Sequence, residues 1–547
     1  MAASDWWRGA TMYQIYPRSF QDSNSDGVGD LAGISSRLDY VRDLGVDGIW
    51  ISPFFKSPMK DFGYDVADYF TVDPLFGTNR DFDALISKAH SLSLKIIIDM
   101  VLSHTSDQCE WFQQSRQSRD NPKADWYVWA DPKPDGSPPN NWRSVFGGAA
   151  WEFDTQRGQY YLHNWLKEQP DLNFHNPEVQ QQMLECCRYW FEKGVDGFRL
   201  DVINYIFHDD KLRDNPPASF EHDGPATQFS GLDPYSMQKH LYDKSRPEVS
   251  EFLKKLRSLS DEYPGTMLLA EVGESESTLP SEYTDGPEML HTAYSFDLLD
   301  QKLLTQSRLE SVVSFFDNAT LGRSWPSWAF SNHDVIRTAT RWGEYFKPEF
   351  RPRAATCFLA LLCCLRGTIF IYQGEELGLT EANIPYEKLQ DPWGKYLWPE
   401  WQGRDGCRTP MPWSSSDVNC DFSPGNVTPW LPVPDEHRDA SVDSQVRLED
   451  SVLKITRELI ALRQDSLALR QGSITFCDSP SDEVIYFKRH MDDETVTCLF
   501  NLSNNTHDIQ IHKADTPGNL LYKSPEARIQ NGCLTLPAAT YCLLGTK

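Results

Sequence analysis

Eight short apolar runs, at residues 12–17, 48–53, 94–102, 197–202, 267–272, 292–296, 328–330 and 368–372, are separated by stretches with apolar residues at helical spacing. Strand-length runs alternating with helices belong to α/β folds, and eight of them is the number that closes a β/α barrel. Segments 79–92 and 177–193 begin after Thr, Asn or Pro, residues that start helices. The expected fold class is therefore α/β, a (β/α)8 TIM barrel. Two stretches interrupt the alternation. Residues 104–174 are too polar and too rich in Pro, Gly and Trp for a simple connection and predict a subdomain inserted after the third strand. Residues 384–446, dense in Pro, Trp and charge, predict a lid or wall at the barrel mouth. After a helix over 450–469, short alternating runs at 473–477, 484–489, 495–499, 509–512 and 532–536 predict a C-terminal antiparallel β-domain over 471–547. The barrel then comprises residues 1–103 and 175–470.

Charge narrows the function. Across 547 residues, 52 Lys and Arg face 79 Asp and Glu, a formal net charge of −27. Phosphate-rich partners are repelled, so no nucleic acid or anionic membrane partner is expected. Residues 1–8 lack the basic start and apolar run of a secretory signal, and the most apolar stretch, 354–365, is too short to span a bilayer and predicts a buried helix. The 12 cysteines form no CxxC pair, which predicts reduced, buried thiols in a cytoplasmic protein.

The ionisable residues fall at the C-terminal ends of the predicted strands: Asp99 and His104 after the third, Arg199 and Asp201 on the fourth, Glu271 on the fifth, His333 and Asp334 after the seventh. Barrel active sites form at that face. These residues stand in segments that can be recognised: 99–104 (DMVLSH), 197–204 (GFRLDVIN), 269–273 (LAEVG) and 331–334 (SNHD). In order and position they resemble the α-amylase family of glycoside hydrolases. Residues 169–173 (QPDLN) resemble its α-glucosidase and oligo-1,6-glucosidase branch, and 63–69 (GYDVADY), 372–376 (YQGEE) and 403–413 (GRDGCRTPMPW) are further matches. Ser103 stands where many members have Asn.

The resemblance implies an exo-acting, retaining α-glucosidase that hydrolyses, and also transfers, the terminal glucose of short oligosaccharides such as maltose, isomaltose or sucrose. Retention needs two carboxylates in different environments, about 5 to 5.5 Å apart. Asp201, two residues from Arg199 on one strand face, is the expected nucleophile, its ionised form favoured by the nearby guanidinium. Glu271, in an apolar run that would hold its proton, is the expected general acid and base. By family resemblance Asp334 binds sugar hydroxyls, and His104, His333 and Arg199 contact the same sugar. Asp65 and Arg404 would close the pocket behind the terminal glucose, with Tyr64 stacked on its ring. Val202, next to the nucleophile, would bear on linkage, since valine there accompanies α-1,6 cleavage in this branch and alanine or threonine accompanies α-1,4 preference.

Residues 22–30 place oxygen-bearing side chains at alternate positions among glycines and resemble the first half of a calcium loop. The distal Glu of an EF-hand is absent, but the family carries a structural metal here, so Asp22, Asn24, Asp26, Val28 and Asp30 are expected to hold a divalent ion, calcium by type. The same stretch formally matches a dinucleotide fingerprint at 27–32, which three aspartates would make repulsive to a pyrophosphate. No organic cofactor is expected, and a homo-oligomer is left open. The alternatives are a transglucosylase or sugar isomerase on the same machinery. A non-catalytic scaffold would need a membrane helix and lost carboxylates, and a sugar-binding module would not need an acid and nucleophile pair.

Overall fold

The computed structural model describes residues 5–218, 234–274, 278–319, 323–511 and 519–546. Parts of the expected barrel (219–233, 275–277, 320–322) and C-terminal domain (512–518, 547) lie outside the described residues.

The barrel strands are β1 (Thr11–Ile15), β2 (Gly48–Ile51), β3 (Lys95–Val101), β4 (Gly197–Asp201), β5 (Met267–Val272), β6 (Thr292–Ser295), β7 (Ser327–Ala329) and β8 (Thr368–Tyr372). All are parallel; β1 to β6 pair in chain order, β8 pairs with β1 and β7 with β8. A parallel bridge between Ala293 and Pro326 joins β6 to β7 and closes the ring. Nearly every strand residue is buried, which is why these strands read as unbroken apolar runs. The helices carry local start signals. Asp30 caps Leu31–Leu44 by accepting from Gly33 N, Thr78 and Asp81 form a capping box on Asn79–Ser91, and Asn176 caps Pro177–Glu192. The apolar stretch at 354–365 is the buried helix Arg351–Cys364. Among the described residues no helix is long and apolar enough to cross a membrane.

Between β3 and β4 lie a short helix, Glu110–Ser115, and a three-stranded antiparallel sheet of Trp129–Ala130, Trp151–Asp154 and Gln159–Leu162. The excursion is tied back at the barrel mouth by a bridge between His104 and Asp171 and by Leu172 N donating to Ser103 O. Residues 384–446 fold into short helical turns, one of which, Pro392–Leu397, carries Trp393, joined by irregular segments that carry Trp401 and Arg404. The C-terminal strands form a five-stranded antiparallel sheet, in the order Ser473–Phe476, Val484–Met491, Glu494–Asn501, Thr540–Thr546, Asn519–Lys523, with a three-stranded sheet of His507–Gln510, Arg528–Gln530 and Cys533–Leu536. The buried Arg489 of the five-stranded sheet attaches it to the barrel, donating to Cys364 O and Leu469 O.

Candidate active site

The floor of the site is set by β4. It opens at Gly197, whose φ of 153° and missing Cβ, which would lie 2.0 Å from Met267 O, let the strand run against β5. Arg199 and Asp201 follow on one face; Arg199 is fully buried. Arg199 Nη1 lies 2.7 Å from Asp99 Oδ1 and 2.5 Å from Asp201 Oδ1, and Nη2 lies 2.5 Å from Glu271 Oε2. Carboxylates from β3, β4 and β5 thus meet on one guanidinium, which rests on the face of Trp50 at 5.0 Å. One positive charge cannot balance three negative ones out of water, so protons are retained. Burial pushes Asp201 and Glu271 up to about 7 and Asp99 to about 6, with Arg199 pulling the other way. The guanidinium favours the ionised form of Asp201, as its place two residues away implies, and burial opposes it.

Glu271 is held from three directions. Besides Arg199, Tyr294 Oη donates to Oε1 at 2.9 Å and Val202 N donates to Oε2 at 3.1 Å. Val202 makes that contact from a left-handed backbone, φ 34° and ψ 49°, which a β-branched residue adopts only under strain.

Asp334 lies beyond β7 in a different field. Its Oδ1 receives Arg408 Nη2 at 2.9 Å and Arg404 Nη1 at 3.2 Å, and Oδ2 lies 3.2 Å from His333 Nε2. Burial works against its ionised form, but His333 and the two guanidiniums hold the carboxyl far below the usual carboxylate range. Of these, the guanidiniums carry the permanent charge, because burial pushes His333 well below its ordinary pKa. Gln14 Nε2, 2.8 Å from His333 Nδ1, leaves the imidazole proton on Nε2, which faces Tyr64 Oη at 2.5 Å. The rings of Tyr64 and His333 stack at 5.4 Å and 5°.

A cavity of about 150 Å³ opens over these groups. Asp61, Tyr64, His104, Asp201, Glu271, Asp334 and Arg404 line it, so residues from across the barrel converge as expected. Arg199 and His333 lie one layer deeper, fully buried, holding the wall rather than forming it. His104 is kept in place by Ser103 Oγ on Nδ1 at 2.9 Å, and burial lowers it to about 3, so it is neutral. Of the two residues expected to close the pocket behind the glucose, Arg404 lines the cavity and Asp65 does not. Asp65 turns inward to accept from Ser57 Oγ and from the backbone of Lys60 and Asp61, at 2.8 to 3.0 Å. Asp61 takes its place: Arg404 Nη2 donates to Asp61 Oδ1 at 2.9 Å and to Asp391 Oδ1 at 2.8 Å.

The opposite wall is aromatic, and most of it carried no signal in the sequence. Phe146 stacks on Trp393 at 5.1 Å, Trp393 meets Trp401 edge-on at 4.5 Å, and Trp165 packs against Tyr205, whose hydroxyl is bonded to that of Tyr235 at 2.7 Å. Val202, Val145, Phe296 and Val335 complete it, and Glu274 is an acidic side chain on the same lining.

In the loop over 22–30, Asp22 accepts from the backbone of Asn24, Ser25 and Gly27, Asn24 from Asp26, Asp26 from Val28, and Asp30 from Ser23 and Gly33. Among the described residues no group of three or more His, Cys, Asp or Glu side chains is placed to hold a metal ion.

The family model described as "Alpha amylase, catalytic domain" matches residues 14–472. A probable alpha-glucosidase of Rhizobium meliloti (strain 1021) is 52% identical over 502 residues, 91% of this chain and 90% of that one. An oligo-1,6-glucosidase of Heyndrickxia coagulans is 36% identical over 537 residues, 92% and 93% of the two chains. The crystal structure of the alpha-glucosyl transfer enzyme XgtA superposes with a TM-score of 0.93 at 49% identity, covering 99% of each chain. That of isomaltulose synthase from Erwinia rhapontici NX5 superposes at 0.89 with 31% identity, covering 100% of each. The chain belongs to the α-amylase family of glycoside hydrolases, in the branch that contains the α-glucosidases and oligo-1,6-glucosidases.

Proposed function

We propose that the protein is an exo-acting, retaining α-glucosidase that takes the terminal non-reducing glucose from short α-glucosides such as maltose, isomaltose or sucrose. The observation that carries this reading is the meeting of Asp201 and Glu271 on Arg199 at the floor of a cavity that the buried Arg404 also lines. Glucose enters with its far hydroxyls toward Asp61, Arg404 and Asp334, and the leaving group lies against the aromatic wall. Asp201 attacks the anomeric carbon while Glu271 gives its proton to the departing oxygen, which leaves a glucosyl ester on Asp201. Glu271, now a carboxylate, takes a proton from water, and that water displaces Asp201. Asp334, held ionised, binds hydroxyls of the ring that distorts. NMR of the glucose first released from a disaccharide tests the reading: α-glucose is expected before mutarotation, and β-glucose would exclude a glucosyl-enzyme.

Transfer to another hydroxyl is favoured as a second activity by the apolar wall of Phe146, Trp165, Trp393 and Trp401, which keeps water from the side on which the intermediate is intercepted. XgtA, called an alpha-glucosyl transfer enzyme, is consistent with it. The ratio of transfer product to free glucose at high acceptor concentration measures it. The unpaired cysteines, ten of them buried, support a reducing compartment such as the cytoplasm.

The loop over 22–30 is proposed to hold a structural divalent cation, calcium by type. Its three aspartates are satisfied by backbone and hydroxyl donors, with no Lys or Arg counter-charge among the described residues. Exhaustive chelation is expected to lower the Tm more than it changes turnover. An unchanged melting curve with no metal by elemental analysis would remove the proposal.

A further inference from the structure

Arg199 has five N–H groups, and Tyr294 accounts for two of them. Its Nη1 hydrogens go to Asp99 and Asp201, at 2.7 and 2.5 Å, and Nη2 makes an ion pair with Glu271 Oε2 at 2.5 Å. An Nη2 hydrogen and the Nε hydrogen both fall on Tyr294 Oη, at 3.1 and 3.2 Å. A phenol oxygen that accepts two hydrogen bonds must donate its own hydrogen elsewhere, and Glu271 Oε1 lies 2.9 Å away. The direction of that bond is therefore fixed by Arg199. Strand register places the two residues side by side, since Glu271 on β5 pairs with Tyr294 on β6. Tyr294 is buried in the apolar cluster that also holds Trp7, Trp50, Trp325 and Phe370.

The two oxygens of Glu271 are held unequally. Oε1 receives only the neutral phenol, whereas Oε2 receives Arg199 Nη2 and Val202 N. A proton on Oε2 weakens its ion pair with Arg199, whose Nη2 lies 2.5 Å away, so the carboxyl that acts as an acid is held less by the guanidinium and must be kept in place by something else. A fixed donor on Oε1 gives it an axis on which to turn.

We propose that Tyr294 is a positioning residue for proton transfer: its hydroxyl pins Oε1 of Glu271, so that Oε2 is the oxygen that leaves Arg199, takes up the proton and delivers it to the leaving group. This rests on the reading of Glu271 as the general acid. The same bond stabilises the ionised form of Glu271 and so sets the upper limit of pH at which the acid is available. Burial keeps the phenol itself protonated.

The test is Tyr294→Phe, which removes one oxygen and keeps the ring. Turnover and kcat/KM are measured against pH for a disaccharide, whose leaving alcohol needs a proton, and for 4-nitrophenyl α-glucoside, whose leaving group needs little. The disaccharide is expected to lose about 10-fold or more in kcat and the nitrophenyl substrate no more than a few-fold. The alkaline limb for the disaccharide should move up by about 1 pH unit, because Glu271 loses a donor to its charged form. Equal losses on both substrates with an unmoved alkaline limb would overturn the proposal. Should Tyr294→Phe fail to fold, 3-fluorotyrosine installed at position 294, a stronger donor, must move the limb downward, and no movement would overturn it. Glu271→Gln, measured alongside, separates the two readings. If it shows no dependence on the leaving group, the acid assignment and the proposal fall together; if it shows the dependence and Tyr294→Phe does not, only the proposal falls.

Discussion

Two arginine-centred clusters border the cavity, and they hold most of their carboxylates differently. At the floor, Arg199 alone serves Asp99, Asp201 and Glu271, and burial lifts all three toward neutrality. Around Arg404 and Arg408, Asp334 and Asp391 are held below the usual carboxylate range, and only Asp61 is raised by its burial. The residue types are the same; the ratio of cations to anions differs. One guanidinium among three acids leaves a proton to be moved, which suits chemistry. Two among three fix a permanent anion, which suits binding of hydroxyls.

The largest expected effect separates the clusters by what they do to turnover. Asp201→Asn should reduce kcat on a disaccharide by about 10³-fold or more, as should Glu271→Gln within a factor of ~10. Near wild-type turnover in Asp201→Asn would refute the nucleophile. Next, Asp61→Asn should raise KM about 10-fold with a smaller loss in kcat, because it releases Arg404 at the cavity lining, whereas Asp65→Asn should leave KM unchanged and lower thermal stability. The reverse outcome, KM moved by Asp65 and not by Asp61, would break the account of how the pocket is closed.

These two aspartates also show how far the sequence was legible. Both lie beside the turn at Gly63, and spacing alone does not say which faces the cavity; the φ of 111° at Gly63 and the Ser57 hydroxyl that captures Asp65 decide it. The barrel strands were readable because burial on both faces leaves continuous apolar runs, and the residues at their C-terminal ends were placed by that alone. The final strand, Thr540–Thr546, was missed for the same physical reason in another context: it is central in its sheet, and the buried run at 541–545 has no alternation to mark it in a region read by alternation. Tyr294 was legible as part of a strand, but its role depends on the register between β5 and β6. Trp393 and Trp401 come from an irregular segment whose path over the mouth has no periodic signature.

A smaller effect is expected at Val202, which touches the floor through its N–H and the aromatic wall through its side chain. The chain should cleave isomaltose, and Val202→Thr should shift the ratio of specificity constants toward maltose by about 10-fold, corresponding to roughly 1 to 3 kcal/mol of discrimination. An unmoved ratio would place linkage choice in Phe146, Trp165 or Trp401 instead.

The central claim, that burial raises both Asp201 and Glu271 at the floor so that the proposed nucleophile and acid titrate close together, is tested most directly by kcat/KM for a disaccharide as a function of pH. Protonation of Asp201 is expected to shape the acid limb and loss of the proton from Glu271 the alkaline limb, each pushed up to about 7 by burial. The account predicts a bell whose two limbs lie close to 7, unchanged in position in Asp61→Asn. A profile flat from about pH 5 to 9, or one with a single acid limb near the ordinary carboxylate value of about 4, would contradict it.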